Sequence, residues 1–532
     1  MNKTAIKNYA IWARVQLIEA AKQKAYEYAV TDGENMRELS AINDRPLSES
    51  EKRQRRKLLE QIKLKGYQQV MEEAAYTWFN RFIALRFMEV NGYLPSRVRV
   101  FTDETGAFKP EILKEAMTVE LHGLDRAKVL DLLDRQDNDA LYQYLLITQC
   151  NALNECLPQM FERIDNWTEL LFPKNLLRPD GILSKMISMI PEEDWTDQVQ
   201  IIGWLYQYYN TEPKDKVFEN LKKNIKISKE NIPAATQLFT PDWIVHYMVE
   251  NSLGRLWVEG HPNEEMKKSW KYYLEEAEQE PEVQNQLAEI RKEYAKLNPE
   301  DIKVIDPCMG SGHILVVMFD VLLQIYESCG YSAREAVSLI VEKNLYGLDI
   351  DERAAQLAYF AVMMKARQHD RRFFTRGIQP RVYAIRESNS LDRTTIDYFV
   401  NRNPKLKAAM ETLTRELYDA KEYGSILNVS MVDFPALYAR FEEIKRDNNI
   451  LSQFALIDLL PFVQIAEAMA QKYDVVITNP PYMAIPNCSA KMANYITNHF
   501  SNSRYDLFGV FIDKCTLLTR SMGFRGMVTQ QS

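Results

Sequence analysis

Cysteine is sparse in this 532-residue chain and poorly placed for metal binding. The six cysteines stand at 150, 156, 308, 329, 488 and 515, with no C-x-x-C spacing. That excludes a zinc ribbon or dithiol redox motif and points to reduced thiols. The six histidines do not cluster at ligand spacing either, so no metal is expected. No run of about eighteen apolar residues occurs and the N-terminus has no signal-peptide core, so a cytoplasmic protein with no membrane partner is expected. Positive charge is not in excess: 66 Lys and Arg against 74 Asp and Glu leave a net charge of −8. This argues against a nucleic-acid surface spread over the whole molecule, while leaving room for local basic patches. Also absent are G-x-x-x-x-G-K-[ST] and a full G-x-G-x-x-G, which disfavours nucleotide hydrolysis and dinucleotide redox chemistry. Glycine numbers only 18 residues, against a usual share of about 7%. A G-x-G between a strand and a helix therefore stands out.

What is present supports a large fold of two or three domains, because 46% hydrophobic and 26% charged residues can bury a sizeable core. The most informative stretch is Asn479-Pro480-Pro481-Tyr482, which closes the apolar run Tyr473–Thr478. The exocyclic amine of a base such as adenine is a weak nucleophile, because its lone pair is delocalised into the ring. Two acceptors on its hydrogens, the Asn479 side-chain oxygen and the Pro480 carbonyl, would return electron density to nitrogen. Pro480 and Pro481 fix φ and stiffen the loop that aims those acceptors. Tyr482 offers a flat face to an unstacked base, worth about 1–3 kcal/mol. That offsets much of the few kcal/mol needed to extrude a base from a duplex. Taken alone, the same four residues also suit a plain β-turn after a buried strand.

A second element, Asp306-Pro307-Cys308-Met309-Gly310-Ser311-Gly312, lies between the apolar run 303–305 and a helical stretch, 314–326. Its glycines let the backbone approach a ligand closely, with the amides of a helix start facing it. An acid at the strand end, Asp306, suits a cationic amino-acid head group better than a pyrophosphate. About forty residues on, Asn344–Asp349 reads as a second strand ending in a carboxylate. Asp349 is placed for ribose hydroxyls, with Ile350 beside it, and Asp351 reads as the cap of the next helix. A third strand, Arg381–Ile385, leads to Asn389 and Ser390, where Asn389 suits either an adenine ring or a plain loop turn. Strands that end in polar residues and feed helices define a Rossmann-like, doubly wound α/β sheet, whose ligands gather at the carboxyl ends of the strands.

These motifs together resemble the S-adenosylmethionine-dependent N6-adenine DNA methyltransferases. Asp306–Gly312 is similar to that family's cofactor loop and Asn479–Tyr482 to its catalytic motif. The upstream segment 235–245, with Phe239, Thr240 and Pro241 at its centre, is similar to the one that covers the methionine end of the cofactor. Its position ahead of the cofactor loop, with the catalytic motif last, resembles the gamma order. A closer resemblance, over essentially the whole chain, is to the PglX/BrxX methyltransferases of BREX phage defence, through Tyr76–Arg86 and Ile202–Tyr209. The resemblance implies S-adenosylmethionine as cofactor, double-stranded DNA as partner, adenine-specific methylation, and other defence proteins as associates. It also implies a sheet cut short near Gly526, in what reads as its fifth strand, with no target-recognition domain in this sequence and DNA contact mainly through that part.

The expected organisation is a helical N-terminal domain over 1–230, then a cofactor-covering segment and charged helical excursion over 231–300. The methyltransferase core follows over 301–532, with an insertion at 393–472 on the rim of the sheet. Thr240 and Pro241 are expected to cap and open a helix. In the first domain, Ala75, Phe79, Phe82, Ile83, Phe87 and Val90 mark an apolar helix face, and Trp204–Tyr209 reads as core. The basic stretch Lys52–Lys57 reads as a solvated helix face or, alternatively, a phosphate contact. His313 reads as a helix-start residue. Competing functions are N4-cytosine methylation, a protein or RNA amine methyltransferase, and a piece that only binds cofactor or partner.

Overall fold

The computed structural model describes residues 1–33, 37–162, 167–223, 225–228, 231–447 and 449–530. The chain forms two units, Met1–Glu212 with Phe374–Gly377, and Pro213–Phe373 with Ile378–Ser532.

The first unit is helical apart from a short ribbon pairing Ala41–Ile42 with Arg45–Pro46. The helix Tyr67–Val90 buries Ala75, Phe79, Phe82, Ile83 and Phe87, as the spacing predicts, but it also buries Asn80, Arg81, Arg86 and Glu89. It is therefore a central helix rather than an amphipathic one. Its inward charges are compensated locally. Arg86 and Glu89, both fully buried, pair at 2.5 Å, and Glu89 also accepts the Val100 and Phe101 amides at 2.6 Å each. Tyr209 packs edge-on to Tyr76 at 5.1 Å and against Phe79 at 4.4 Å, so this aromatic stretch is core. The helix Glu49–Lys65 opens with a Ser48–Glu51 capping box. Several of its cations are paired within the fold: Lys52 with Glu49, Arg56 with Glu38 and Lys65 with Glu73. Arg55 is turned inward onto the carbonyls of Tyr28, Ala29 and Arg37. The solvated-face reading of this helix fits these pairings better than the phosphate reading.

The second unit is built on five parallel strands: β1 (Val304–Asp306), β2 (Leu345–Asp349), β3 (Arg381–Ala384), β4 (Tyr473–Thr478) and β5 (Thr519–Met527). Their order in the sheet is β3-β2-β1-β4-β5. Every residue of β1 and β4 is buried, which is why both are mainly apolar rather than alternating; Asp474 inside β4 is paired with the Lys303 amide and Arg520. The order reverses between β1 and β4, so a crevice opens at their carboxyl ends, the usual ligand position in such sheets. The fifth strand, expected to be cut short, pairs with β4 over Val475–Thr478.

One region differs from expectation. The helices of 393–472 do not stand on the rim. Phe399, Met410, Leu413, Phe441 and Phe462 share one buried cluster with Ile305, Tyr346, Leu348 and Val476 of the sheet, so this segment covers a sheet face. Its run Ile450–Ala470 is the one helix among the described residues long and apolar enough to cross a membrane by length and composition, yet Leu459, Phe462, Val463 and Met469 belong to that same core. The charged excursion forms two helices, Glu264–Ser269 and Pro281–Tyr294. It returns to the sheet through Tyr294, whose hydroxyl donates to the Met522 carbonyl at 2.6 Å.

Candidate functional site

The site forms where β1 and β4 end side by side. The Thr478 hydroxyl, last in β4, donates to Asp306 Oδ1, last in β1, at 2.7 Å. Asp306 is fully buried. Its Oδ1 also accepts the Cys308 amide at 3.0 Å, whereas its buried Oδ2 has no partner among the described residues. Burial pushes its carboxyl up to about 7, against the bonds from Thr478 and Cys308, with the Asp349 charge adding to the rise.

The loop after β1 folds back onto β2. The Met309 amide donates to the Leu348 carbonyl at 3.0 Å, and the Gly310 amide to Asp349 Oδ2 at 2.9 Å. Asp349 Oδ1 accepts the Asp351 amide at 2.8 Å, and burial again pushes this carboxyl to about 7. Pro307 is held from the 393–472 segment, its carbonyl accepting the Ser425 hydroxyl at 2.6 Å. Met309 and Ser311 are buried and Ile350 is half-buried. Gly310, at φ +53, faces open space where a side chain would stand, so the loop leaves a cradle there. Gly312, at φ +86, lies so close to the helix Glu352–His369 that a Cβ would meet Ala358 Cα at 2.9 Å. Gly312→Ala should therefore destabilise the second unit by at least about 1–2 kcal/mol from the left-handed backbone alone. A chemical-denaturation midpoint equal to wild type would refute this.

Asn479 is half-buried directly after β4. Its Nδ2 donates to Thr240 Oγ1 at 3.1 Å, and its Oδ1 accepts the Tyr482 hydroxyl at 2.9 Å. The Tyr482 oxygen also lies 2.8 Å from the Val528 carbonyl. The Tyr482 ring is half-buried, 5.9 Å from that of Phe508, and burial raises its phenol to about 12. The Pro480 carbonyl accepts no hydrogen bond among the described residues. Beyond Pro481 the loop is tied down by the Met483 amide on Asp506 Oδ1 at 3.1 Å and the Leu507 amide on the Met483 carbonyl at 3.0 Å.

Thr240 is not a helix cap. The helix Asp242–Val249 begins one residue later than expected, with Pro241 in the cap position and no side-chain cap bond. An extended Pro241 (ψ 138) carries the Thr240 hydroxyl away from the helix amides and onto Asn479. Phe239 stacks on His313 at 4.6 Å and 6°, and His313 Nε2 lies 3.2 Å from Asp242 Oδ1. The segment 239–242 therefore meets both the cofactor-type loop and the Asn-Pro-Pro-Tyr loop. Asp351 caps the helix Glu352–His369 as predicted. Asn389 and Ser390 are exposed beyond edge strand β3, and Asn389 exchanges hydrogen bonds with Asp419 at 2.7 and 2.8 Å. Sequence reasoning did not single out Thr478 or Ser425. Thr478 could have been noticed beside Asn479, whereas Ser425 left no local signal.

Residues 343–532 match the Eco57I restriction-modification methylase family. The full chain is 38% identical to the adenine-specific methyltransferase BrxX of Escherichia coli O9:H4 (strain HS), covering 100% of the chain and 47% of that protein. It is 39% identical to the adenine-specific methyltransferase PglX of Lacticaseibacillus casei (strain Zhang), again over 100% of the chain and 47% of the relative. The chain thus spans about half the length of the curated relatives it matches. Among solved structures, the DNA-bound ATP-dependent Type ISP restriction-modification enzyme LlaBIII aligns with 86% of this chain and 25% of its own, at 11% identity and a TM-score of 0.30, too low to bear on function.

Proposed function

Starting from a chain homologous to the adenine-specific methyltransferases BrxX and PglX, we propose that it forms the catalytic part of a DNA adenine N6-methyltransferase. One observation carries the reading. The Thr478–Asp306 bond joins the strand that presents Asn479 to the strand that presents the glycine loop, so an amine acceptor and a cation-suited cradle adjoin at the switch point of the sheet.

S-adenosylmethionine, when bound, supplies a methyl group activated by a sulfonium centre. The residues fit such a ligand. Asp306 offers a positively charged ligand a buried carboxylate oxygen that has no partner among the described residues, and Gly310 leaves backbone room. Pro307, Met309, Ser311 and Gly312 shape the loop, Asp349 and Ile350 stand at the end of β2, and Phe239, Thr240 and Pro241 border the same crevice. Asn389 and Ser390 would reach an adenine ring only if Asn389 released Asp419.

Toward the target base, Asn479 Oδ1 and the Pro480 carbonyl are the acceptors that orient an exocyclic amine and draw its hydrogens. The Pro480–Pro481 pair limits the motion of that frame, and the Tyr482 ring is the stacking surface. Orientation and acceptor placement supply most of the acceleration. On this mechanism no residue need act as a metal ligand or covalent nucleophile.

The test is incorporation of labelled methyl into DNA by the chain, alone and with the C-terminal half of a PglX relative added in trans, followed by nucleoside analysis. N6-methyladenine is the expected product. Label in N4-methylcytosine, RNA or protein would replace the substrate assignment. Cofactor binding without transfer in either arm would favour a binding-only piece. Within the same reading, the chain serves phage defence together with other defence proteins. Loss of protection against phage on deletion of its gene is the expected phenotype.

A further inference from the structure

We propose that Thr240 is a positioning residue that decides which end of the Asn479 amide faces the target amine. This rests on the methyl-transfer reading above. A primary amide presents an acceptor at one end and a two-proton donor at the other, in almost the same shape. Turned one way, Asn479 draws on an amine's hydrogens; turned the other way, it opposes them with its own. Main-chain freedom is small here, because Asn479 follows a fully buried strand and precedes two prolines. Rotation of the amide is the freedom that remains.

The Tyr482 side does not fix the amide by itself. The phenol has one proton and two acceptors within reach, Asn479 Oδ1 at 2.9 Å and the Val528 carbonyl at 2.8 Å. If the Tyr482 proton goes to Val528, the phenol oxygen becomes an acceptor and would take an NH2 group readily. On the opposite side, Thr240 Oγ1 is the one acceptor among the described residues that holds Nδ2, and Thr240 is itself buried. An NH2 group held against the buried Thr240 position without an acceptor costs more than an under-satisfied carbonyl oxygen. Removing the Thr240 hydroxyl should therefore turn the amide around and put its donor where its acceptor works. With its proton on Oδ1 instead, the Tyr482 hydroxyl stands in for an amine N–H until a target enters.

The experiment uses the full chain carrying Thr240→Val and Thr240→Ser. Thr240→Val should lower kcat by about 100-fold, the scale of a misaligned reacting group, a larger effect than its effect on the S-adenosylmethionine Kd. Thr240→Ser should restore most of the rate. A raised Kd with kcat intact would overturn the proposal and make Thr240 a cofactor-covering residue only. A second measurement stands apart from turnover: the 15N side-chain amide resonances of Asn479, assigned by their loss in Asn479→Asp. They should shift in Thr240→Val and stay near wild type in Thr240→Ser. Unmoved resonances in Thr240→Val would overturn the proposal, whereas absence of transfer by wild type, with resonances that do shift, would sink only the methyl-transfer reading.

Discussion

Asn479→Ala is expected to reduce methyl transfer to DNA by at least about 100–1000-fold, the scale of losing one preorganised polar group at a reacting centre, while cofactor affinity stays within a few-fold. The separation follows from the contacts. Asn479 bonds to Thr240 and Tyr482, whereas the cradle is held by Asp306, Gly310 and Asp349 through bonds that do not involve Asn479. Single-turnover transfer measured beside equilibrium binding of S-adenosylmethionine tests both halves. Turnover at the wild-type rate would remove Asn479 from the mechanism, and a large rise in Kd would move it into the cofactor site. Unlike the Thr240 substitution, this one deletes the acceptor, so Asn479→Ala with Thr240→Val should be little worse than Asn479→Ala alone.

The second large effect is a pH dependence of cofactor binding. Asp306 and Asp349 carry carboxyls raised to about 7, in both cases chiefly by burial. A carboxyl with a raised folded-state pKa stabilises the fold fully only below its unfolded value of about 4 and loses that contribution as pH rises through 7. The ligand-free chain should therefore melt at a lower temperature at pH 8 than at pH 6. A cationic ligand reverses the preference, because it favours the ionised carboxylates. Affinity for S-adenosylmethionine should thus rise with pH between about 5.5 and 7, approaching tenfold per pH unit for each coupled proton, and level off above. Asp306→Asn should weaken binding at pH 8 and flatten the profile. Binding indifferent to pH across this range in the wild-type chain would mean that neither carboxylate faces the cation.

The parts of this site that could be read from the sequence are those set by a few consecutive residues. A parallel strand buried on both faces needs a mainly apolar run, so Val475–Ile477 announces itself within Tyr473–Thr478, and a proline pair closing it marks where the strand must end. Gly310 and Gly312 adopt positive φ, a backbone demand that leaves glycine in the sequence. Asp351 could be assigned as a cap because capping reaches only two or three residues along the chain. Thr240 was placed one residue too early as a cap, because local preference is overridden when a distant acceptor or donor competes for the same hydroxyl.

Asn479 and Thr240 are separated by 239 positions, and Thr478 and Asp306 by 172; only folding makes them neighbours. The burial of Asp306 Oδ2, the engagement of Asn389 by Asp419, and the packing of 393–472 over the sheet rather than at its rim are likewise products of long-range packing. Composition and periodicity determine which segments become strands and which residues stand at their ends, because those demands act over a few bonds. Hydrogen-bond direction, the burial that shifts a carboxyl, and which end of an amide faces a ligand arise only once remote segments exclude water from a shared space, and those the tertiary structure decided.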